Sequence, residues 1–265
     1  MHNYISKYID NLQSEGKYSF TLREIKSKFK KNINTIRMSL LRLSKKGKIV
    51  SVKKGFYVIV PPEYSKSGIL SPLLFVNDMM NNVNKKYYVG LLSAAVFHGA
   101  THYQPQELYV VTVKPALRHI SVKGIKINFV IKSVLPLGNI QEQKTDTGFI
   151  NISEPEMTAV DLIQFEKKIG GLSRATNIIN EILEKLDSKK FKKLLKCNIP
   201  IAVLQRFGYI LENILKKKEL ADSLYKVLHK KINRIMPLDY SSGVKGFKCK
   251  NRWKIIENKN IEIEI

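Results

Sequence analysis

INTIRMSLLRLSKKGKIVSVKKGFYVIV, residues 33–60, decides how this chain is read. Ile33, Ile36, Leu40 and Leu43 recur at i, i+3, i+7 and i+10, one apolar stripe of a helix. The helix is expected over Ile33–Lys46, with Gly47 as a left-handed residue that stops it. Opposite the stripe lie Asn34, Thr35, Met38, Arg42 and Lys45, with Arg37 and Ser39 on the flanks. Beyond Gly47 the β-rich runs Lys48–Val52 and Phe56–Val60 flank Lys53-Lys54-Gly55, a hairpin with a basic turn.

Upstream, Tyr4, Ile5, Tyr8, Ile9 and Leu12 follow helical spacing. Thr21-Leu-Arg-Glu24 is a capping box, in which hydroxyl and carboxylate satisfy amides at a helix start. A short helix Leu22–Phe29 follows, Ile25 and Phe29 inward, and Lys30-Lys31-Asn32 turns the chain into Ile33. Three helices and a basic-tipped hairpin are the order of a winged helix-turn-helix, whose recognition helix enters the major groove. The candidate DNA-contacting residues are Asn34, Thr35, Arg37, Met38, Ser39, Arg42, Lys45, Lys46, Lys53 and Lys54. Short polar groups suit base edges, and Arg and Lys suit phosphates. A merely solvated helix face has the same composition; the helices and hairpin around it favour DNA.

The net charge of +24 invites a polyanion. Only 8 of the 46 basic residues are Arg, so part of the excess fits a Lys-rich, AT-biased coding sequence. Its distribution is uneven: residues 1–60 hold 14 basic and 3 acidic residues (+11), residues 61–160 hold 9 and 7 (+2), residues 161–265 hold 23 and 12 (+11). Charge therefore gathers at both ends. No apolar run approaches a membrane span and MHNYISKYID has no signal-like apolar core, so a cytoplasmic protein is expected, without a membrane partner. Cys197 and Cys249 cannot build a disulfide framework or a zinc site and are read as reduced thiols.

Pro61-Pro62-Glu63-Tyr64-Ser65 breaks the second hairpin strand. Beyond it a helix is expected near Pro72–Asn82 and a small-residue segment over Tyr87–Gly99. Strands are expected at Glu107–Val113, Arg118–Val122, Ile125–Ile131 and Phe149–Ile152. Ser153-Glu-Pro-Glu156 reads as a second capping box, opening a helix to about Glu166. Helices follow from Ser173, over Lys189–Lys196, over Pro200–Leu215 and from Glu219 to about Ile232. A closing hairpin is expected from Trp253–Glu257 and Ile261–Ile265.

Chemistry is sparse in this sequence. His98 and His102 stand at i, i+4, but Gly99 intervenes and the Glu of a metalloprotease helix is missing. Glu107, Asp146, Glu154, Glu156 and Asp161 lack the carboxylate, Glu-x-Lys arrangement of a metal-dependent nuclease. Phosphate loops, dinucleotide turns and nucleophile elbows are missing too. The expectation is a non-enzyme with no catalytic, metal or cofactor site. Basic runs at Lys189–Lys196, Lys216-Lys217-Lys218, Lys230-Lys231 and Lys245–Lys254 are solubilising surface or a second nucleic-acid contact.

Three stretches carry a resemblance. They are Val60-Pro-Pro-Glu-Tyr64; Tyr87-Tyr-Val-Gly-Leu-Leu-Ser-Ala-Ala95 with Phe97-His-Gly-Ala100 and Gln104-Pro-Gln-Glu107; and Ser153-Glu-Pro-Glu-Met-Thr-Ala-Val-Asp-Leu162 with Arg206-Phe-Gly-Tyr-Ile-Leu-Glu212. In this order the chain resembles the AbiEi antitoxins of type IV, abortive-infection (phage-defence) toxin–antitoxin systems. The resemblance implies an autoregulating transcriptional repressor that binds inverted repeats in its own double-stranded promoter DNA. It also implies a domain counteracting a nucleotidyltransferase-like toxin, with or without a direct complex.

The expected fold is α+β: a winged helix-turn-helix over 1–60, a linker over 61–68, and a larger mixed α/β antitoxin domain over 69–265 with a helical bundle-like C-terminal part. Two other functions remain open on the residues alone: a ligand-responsive winged-helix regulator and a nucleic-acid-processing enzyme.

Overall fold

A computed structural model describes residues 4–64, 68, 70–100 and 107–263. His102 and Gln104-Pro-Gln106 lie outside them, as do Ser65 and the last two residues of the expected terminal strand. The fold mixes helices with three sheets. Packing divides the chain into two units, the first comprising Met1–Tyr88, Gln106–Ile131 and Glu142–Asn151, the second Val89–Pro105, Lys132–Gln141 and Ile152–Ile265.

The first unit begins with α1 (Tyr4–Ser14), β1 (Ser19–Thr21), α2 (Leu22–Phe29), α3 (Ile33–Lys45), β2 (Ile49–Lys53) and β3 (Phe56–Ile59). Ile5, Ile9, Ile25, Ile36, Leu40 and Ile59 belong to one buried cluster, against which Tyr4, Tyr8 and Phe29 pack. The expected capping box is formed: the Glu24 amide donates to the Thr21 hydroxyl (3.1 Å), and the Thr21 amide donates to the Glu24 carboxylate (2.7 Å). Lys30, left-handed at φ 42°, ends α2, and the Asn32 side chain accepts from the Asn34 amide (2.9 Å) to start α3. Gly47 is left-handed, as expected.

The sheet has a strand that the sequence reading missed. Its order is β1-β3-β2, with Phe20 facing Tyr57 across the β1–β3 pair. The two rings stack at 5.4 Å. Between β2 and β3 only Lys54-Gly55 turns, because Lys53 pairs with Phe56 as the last residue of β2. Packing of this unit continues past residues 61–68. Phe56 meets Phe75 (6.5 Å), and the Ser19 hydroxyl donates to Asp78 (2.7 Å) on α4 (Val76–Asn82).

The remaining chain runs β4 (Tyr87–Val89), α5 (Leu91–Phe97), β5 (Glu107–Val113), β6 (Ile120–Val122), β7 (Ile125–Lys132), β8 (Ile140–Thr145), β9 (Gly148–Ser153) and α6 (Pro155–Gln164). After α6 come α7 (Leu172–Glu181), α8 (Phe191–Leu194), α9 (Ile201–Tyr209), α10 (Lys218–Leu228), β10 (Met236–Pro237) and β11 (Ile255–Ile256). Six strands follow the order β6-β7-β5-β4-β9-β8; β6 and β7 form an antiparallel hairpin, while β4 and β9 are parallel at Val89 and Ile152.

In the second unit α6 is the axis, with Glu156 through Ile163 all buried, packed against α5, α7, α8 and α9. A helix buried on every face must satisfy its polar groups internally. That need overturns the second capping box. Ser153 is the last residue of β9, and its hydroxyl bonds Thr158 (2.7 Å) rather than capping the helix. Glu156 instead accepts from the Asp187 amide (2.7 Å). The helix after Gly170-Gly171 starts at Leu172, with Gly171 in place of Ser173 as its cap. Among the described residues the closing hairpin is not formed either. Met236 and Pro237 pair in parallel with Ile255 and Ile256, and residues 257–263 form no strand.

Candidate nucleic-acid interface

Side chains on α3 divide as helical geometry demands. Ile36, Leu40 and Leu43 are buried, while Ile33, expected inward, is only half-buried. Asn34, Thr35, Arg37, Met38, Arg42, Lys45 and Lys46 are exposed. Ser39 departs from the expectation: it is buried, and its hydroxyl donates to the Thr35 carbonyl (3.0 Å). A hydroxyl turned back on its own helix cannot reach a base edge. Leu41 departs in the other direction. At 49% exposed beside Met38 at 51%, it stands in the middle of the outward face, between Asn34 and Lys45. Helical wheels assign faces by angle, and by angle Leu41 belongs on the outer face beside Met38.

At the hairpin, Lys54 is exposed at the turn, whereas Lys53 is half-buried in β2. Burial, followed by the nearby Lys85 charge, pushes the Lys53 ammonium below its ordinary pKa. Of the two expected tip cations, Lys54 is therefore the more exposed. Among the described residues Arg37, Arg42, Lys45, Lys46 and Lys54 have no ion-pair partner. Unpaired cations on one exposed helix and an adjoining turn are what a phosphate backbone meets without first breaking internal bonds.

Several charged residues of the second unit are arranged the opposite way. The Lys132 ammonium lies 2.5 Å from Asp161, both buried. Lys190 pairs with Glu154 at 3.0 Å. Arg206 of α9 pairs with Glu166 and donates to the Leu238 carbonyl (2.7 Å). Gln205 donates to the carbonyls of Arg234 (3.0 Å) and Trp253 (2.9 Å). Phe207 packs edge-on to Phe191 at 6.0 Å. Gly208 leaves a notch for the buried Trp253 ring, since a Cβ there would overlap the ring carbons. The Trp253 indole then donates to Glu212 (2.6 Å), which also accepts from Arg252 (2.8 Å).

His98 is buried, and its Nε2 lies 2.7 Å from the Ser153 carbonyl. Since a carbonyl only accepts, Nε2 carries the proton. Burial lowers the pKa of this imidazole, so it is neutral at pH 7. Its expected companion His102 lies outside the described residues. Among those described, His, Cys, Asp and Glu form no group suited to a metal ion. Cys197 donates to the Asn139 side chain (2.9 Å), and neither cysteine is in a disulfide. No described helix is long and apolar enough to cross a membrane.

This α+β architecture is similar to that of the RV2827C protein from Mycobacterium tuberculosis, whose crystal structure aligns over 96% of this chain and 91% of that chain at 14% identity and a TM-score of 0.66. No curated protein matches the chain. Residues 88–213 match the AbiEi antitoxin C-terminal domain, which is a domain of toxin–antitoxin systems. Over that stretch, a little under half of the chain, the protein is similar to AbiEi antitoxins. The polar anchors described above, from Glu154 and Asp161 to Arg206 and Glu212, fall within the matched stretch.

Proposed function

We propose that this chain is an antitoxin of a type IV system that represses its own operon. In this reading residues 1–60 are a winged helix-turn-helix, 61–68 a connection and 69–265 the antitoxin domain. Helix α3 enters the major groove of inverted repeats in the promoter, while the Lys54-Gly55 turn lies on the backbone. Asn34, Thr35 and Met38 face base edges; Arg37, Arg42, Lys45, Lys46 and Lys54 meet phosphates. Lys53 supports the turn from within the strand, and Ser39 takes no part. The observation that supports this reading is the outward face of α3, whose cations are all exposed and have no ion-pair partner among the described residues. The residues beyond 69 counteract a nucleotidyltransferase-like toxin in the cytoplasm, and the chain itself performs no catalysis.

Footprinting on DNA upstream of the operon tests the first half. The wild type protects paired repeats, and Arg42→Ala or Lys54→Ala weakens operator and random DNA alike. Unchanged footprints in both would remove α3 and the turn from the mechanism. Co-expression with the neighbouring toxin tests the second half: failure to rescue growth would end the antitoxin reading while leaving DNA binding intact.

A further inference from the structure

Beyond α10 the chain makes a long irregular excursion between β10 and β11. Between Asp239 and Glu257 the sequence has five cations and no acid. Lys245, Lys248, Lys250 and Lys254 are exposed and have no ion pair among the described residues. Interleaved with them are Tyr240, Val244 and Phe247, at 47%, 46% and 53% exposed.

This excursion is held at several points. Asp239 accepts from the Ser241 amide (2.7 Å) and pairs with Lys259 (2.8 Å). The Asn258 amide group donates to the carbonyls of Asp239 (2.8 Å) and Ser242 (3.1 Å). Glu257 donates its amide to the Lys248 carbonyl (3.3 Å), and Trp253 is locked in the Gly208 notch. At the tip, the Phe247 amide donates to the Val244 carbonyl (3.3 Å) across Lys245-Gly246, with Gly246 at φ 87°, the geometry of a type II turn. The Tyr240 ring rests on the Arg206 guanidinium at 5.2 Å, so one face is backed and its exposed side is turned outward.

A fixed loop presenting aromatic rings among unpaired lysines suits a polyanion that also has flat apolar faces. Duplex DNA keeps its bases stacked on each other, whereas unpaired nucleotides can place theirs on a protein ring. We propose that residues 240–250 form a second nucleic-acid surface, specific for single strands. Phe247 and Tyr240 stack bases while Lys245, Lys248 and Lys250 track the phosphates. This surface is independent of α3 and of the promoter reading.

Fluorescence anisotropy of labelled 12-nucleotide dT and rU strands on the full chain tests it. The wild type binds one or both, and Phe247→Ala weakens binding roughly 5- to 150-fold, the worth of one base–aromatic stack. Phe247→Tyr restores it. Replacing Lys245 and Lys248 by Ser lowers the salt slope of log K by about 0.7 for each phosphate that is no longer neutralised. Arg42→Ala leaves single-strand binding unchanged. The proposal is overturned if neither strand binds, if Phe247→Ala binds as the wild type does, or if only α3 variants lose binding. It is equally overturned if Phe247→Ala instead dissociates an oligomer in sedimentation, since the loop would then be a contact between copies. Unchanged melting of each variant establishes that the loop, not the fold, was altered.

Discussion

Helix α3 and helices α6 and α9 of the second unit use charge in opposite ways. On α3, Arg37, Arg42 and Lys45 are exposed and have no ion-pair partner among the described residues. On α6 and α9, Asp161 and Arg206 are buried, each against one opposite charge from elsewhere in the same unit. An exposed cation contributes almost nothing to stability and is available to a partner. A buried one is committed, because removing its mate strands a charge in a low-dielectric interior. Polar residues in a protein of this kind cannot be read as functional from their type; what they touch decides.

Four changes would break or sharpen that contrast. The largest effect is expected from Asp161→Ala, which leaves Lys132 buried without its carboxylate and destabilises by about 3–5 kcal/mol. Urea denaturation measures the loss, and promoter affinity of the molecules still folded stays unchanged. The double change Lys132→Met with Asp161→Leu recovers most of it, since an apolar pair can replace a buried ion pair at little cost. Next comes Gly208→Ala. The new methyl overlaps the Trp253 ring, and expelling or shifting that ring costs ~3 kcal/mol. Quenching of Trp253, the chain's one tryptophan, by iodide rises with the lowered melting temperature.

Thr35→Ala is expected to reverse the pattern, with stability within about 0.5 kcal/mol of the wild type and operator preference down by about 1–3 kcal/mol. Competition between operator and random duplex reads this. A Thr35 variant that unfolds the protein, or an Asp161 variant that alters only DNA binding, would dissolve the distinction. The smallest effect is a pH dependence. His98 has a folded-state pKa below the ordinary imidazole value, so the unfolded chain takes up the proton first. Its contribution is therefore full above about pH 6.5 and is lost as pH falls toward the folded pKa. The denaturation midpoint drops between pH 7 and 5.5, and His98→Gln flattens that drop.

Much of the first unit was legible because its signals are local. The Thr21/Glu24 box, the Gly47 stop and the Ile36–Leu40–Leu43 stripe each need only a few neighbouring residues. β1 was not, since Ser19-Phe20-Thr21 is too short to show alternation and exists only through its pairing with β3. Ser153 had the right residue type and spacing for a cap, but the end of β9 fixes its backbone and Thr158 takes its hydroxyl. At the other end, Ile261 is buried and Glu262 exposed, so the alternation reported a buried side without a strand partner. In the candidate interface the face of α3 was readable and two of its members were not. Ser39 was placed outward by chemistry and Leu41 left out by it, when angle alone assigns both.

The fit of Trp253 against Gly208 also bears on how the protein is made. The buried cluster that runs from Ile5 to Ile59 has all its members once sixty residues have been synthesised. The helices of the second unit stay unfinished at that moment: α9 keeps an open notch until a ring 45 residues further along arrives to fill it. On a ribosome adding about 5–20 residues per second, the N-terminal segment can collapse seconds before the rest. Any break in translation short of Trp253 would release a chain whose N-terminal cluster has all its members while the notch on α9 stands empty.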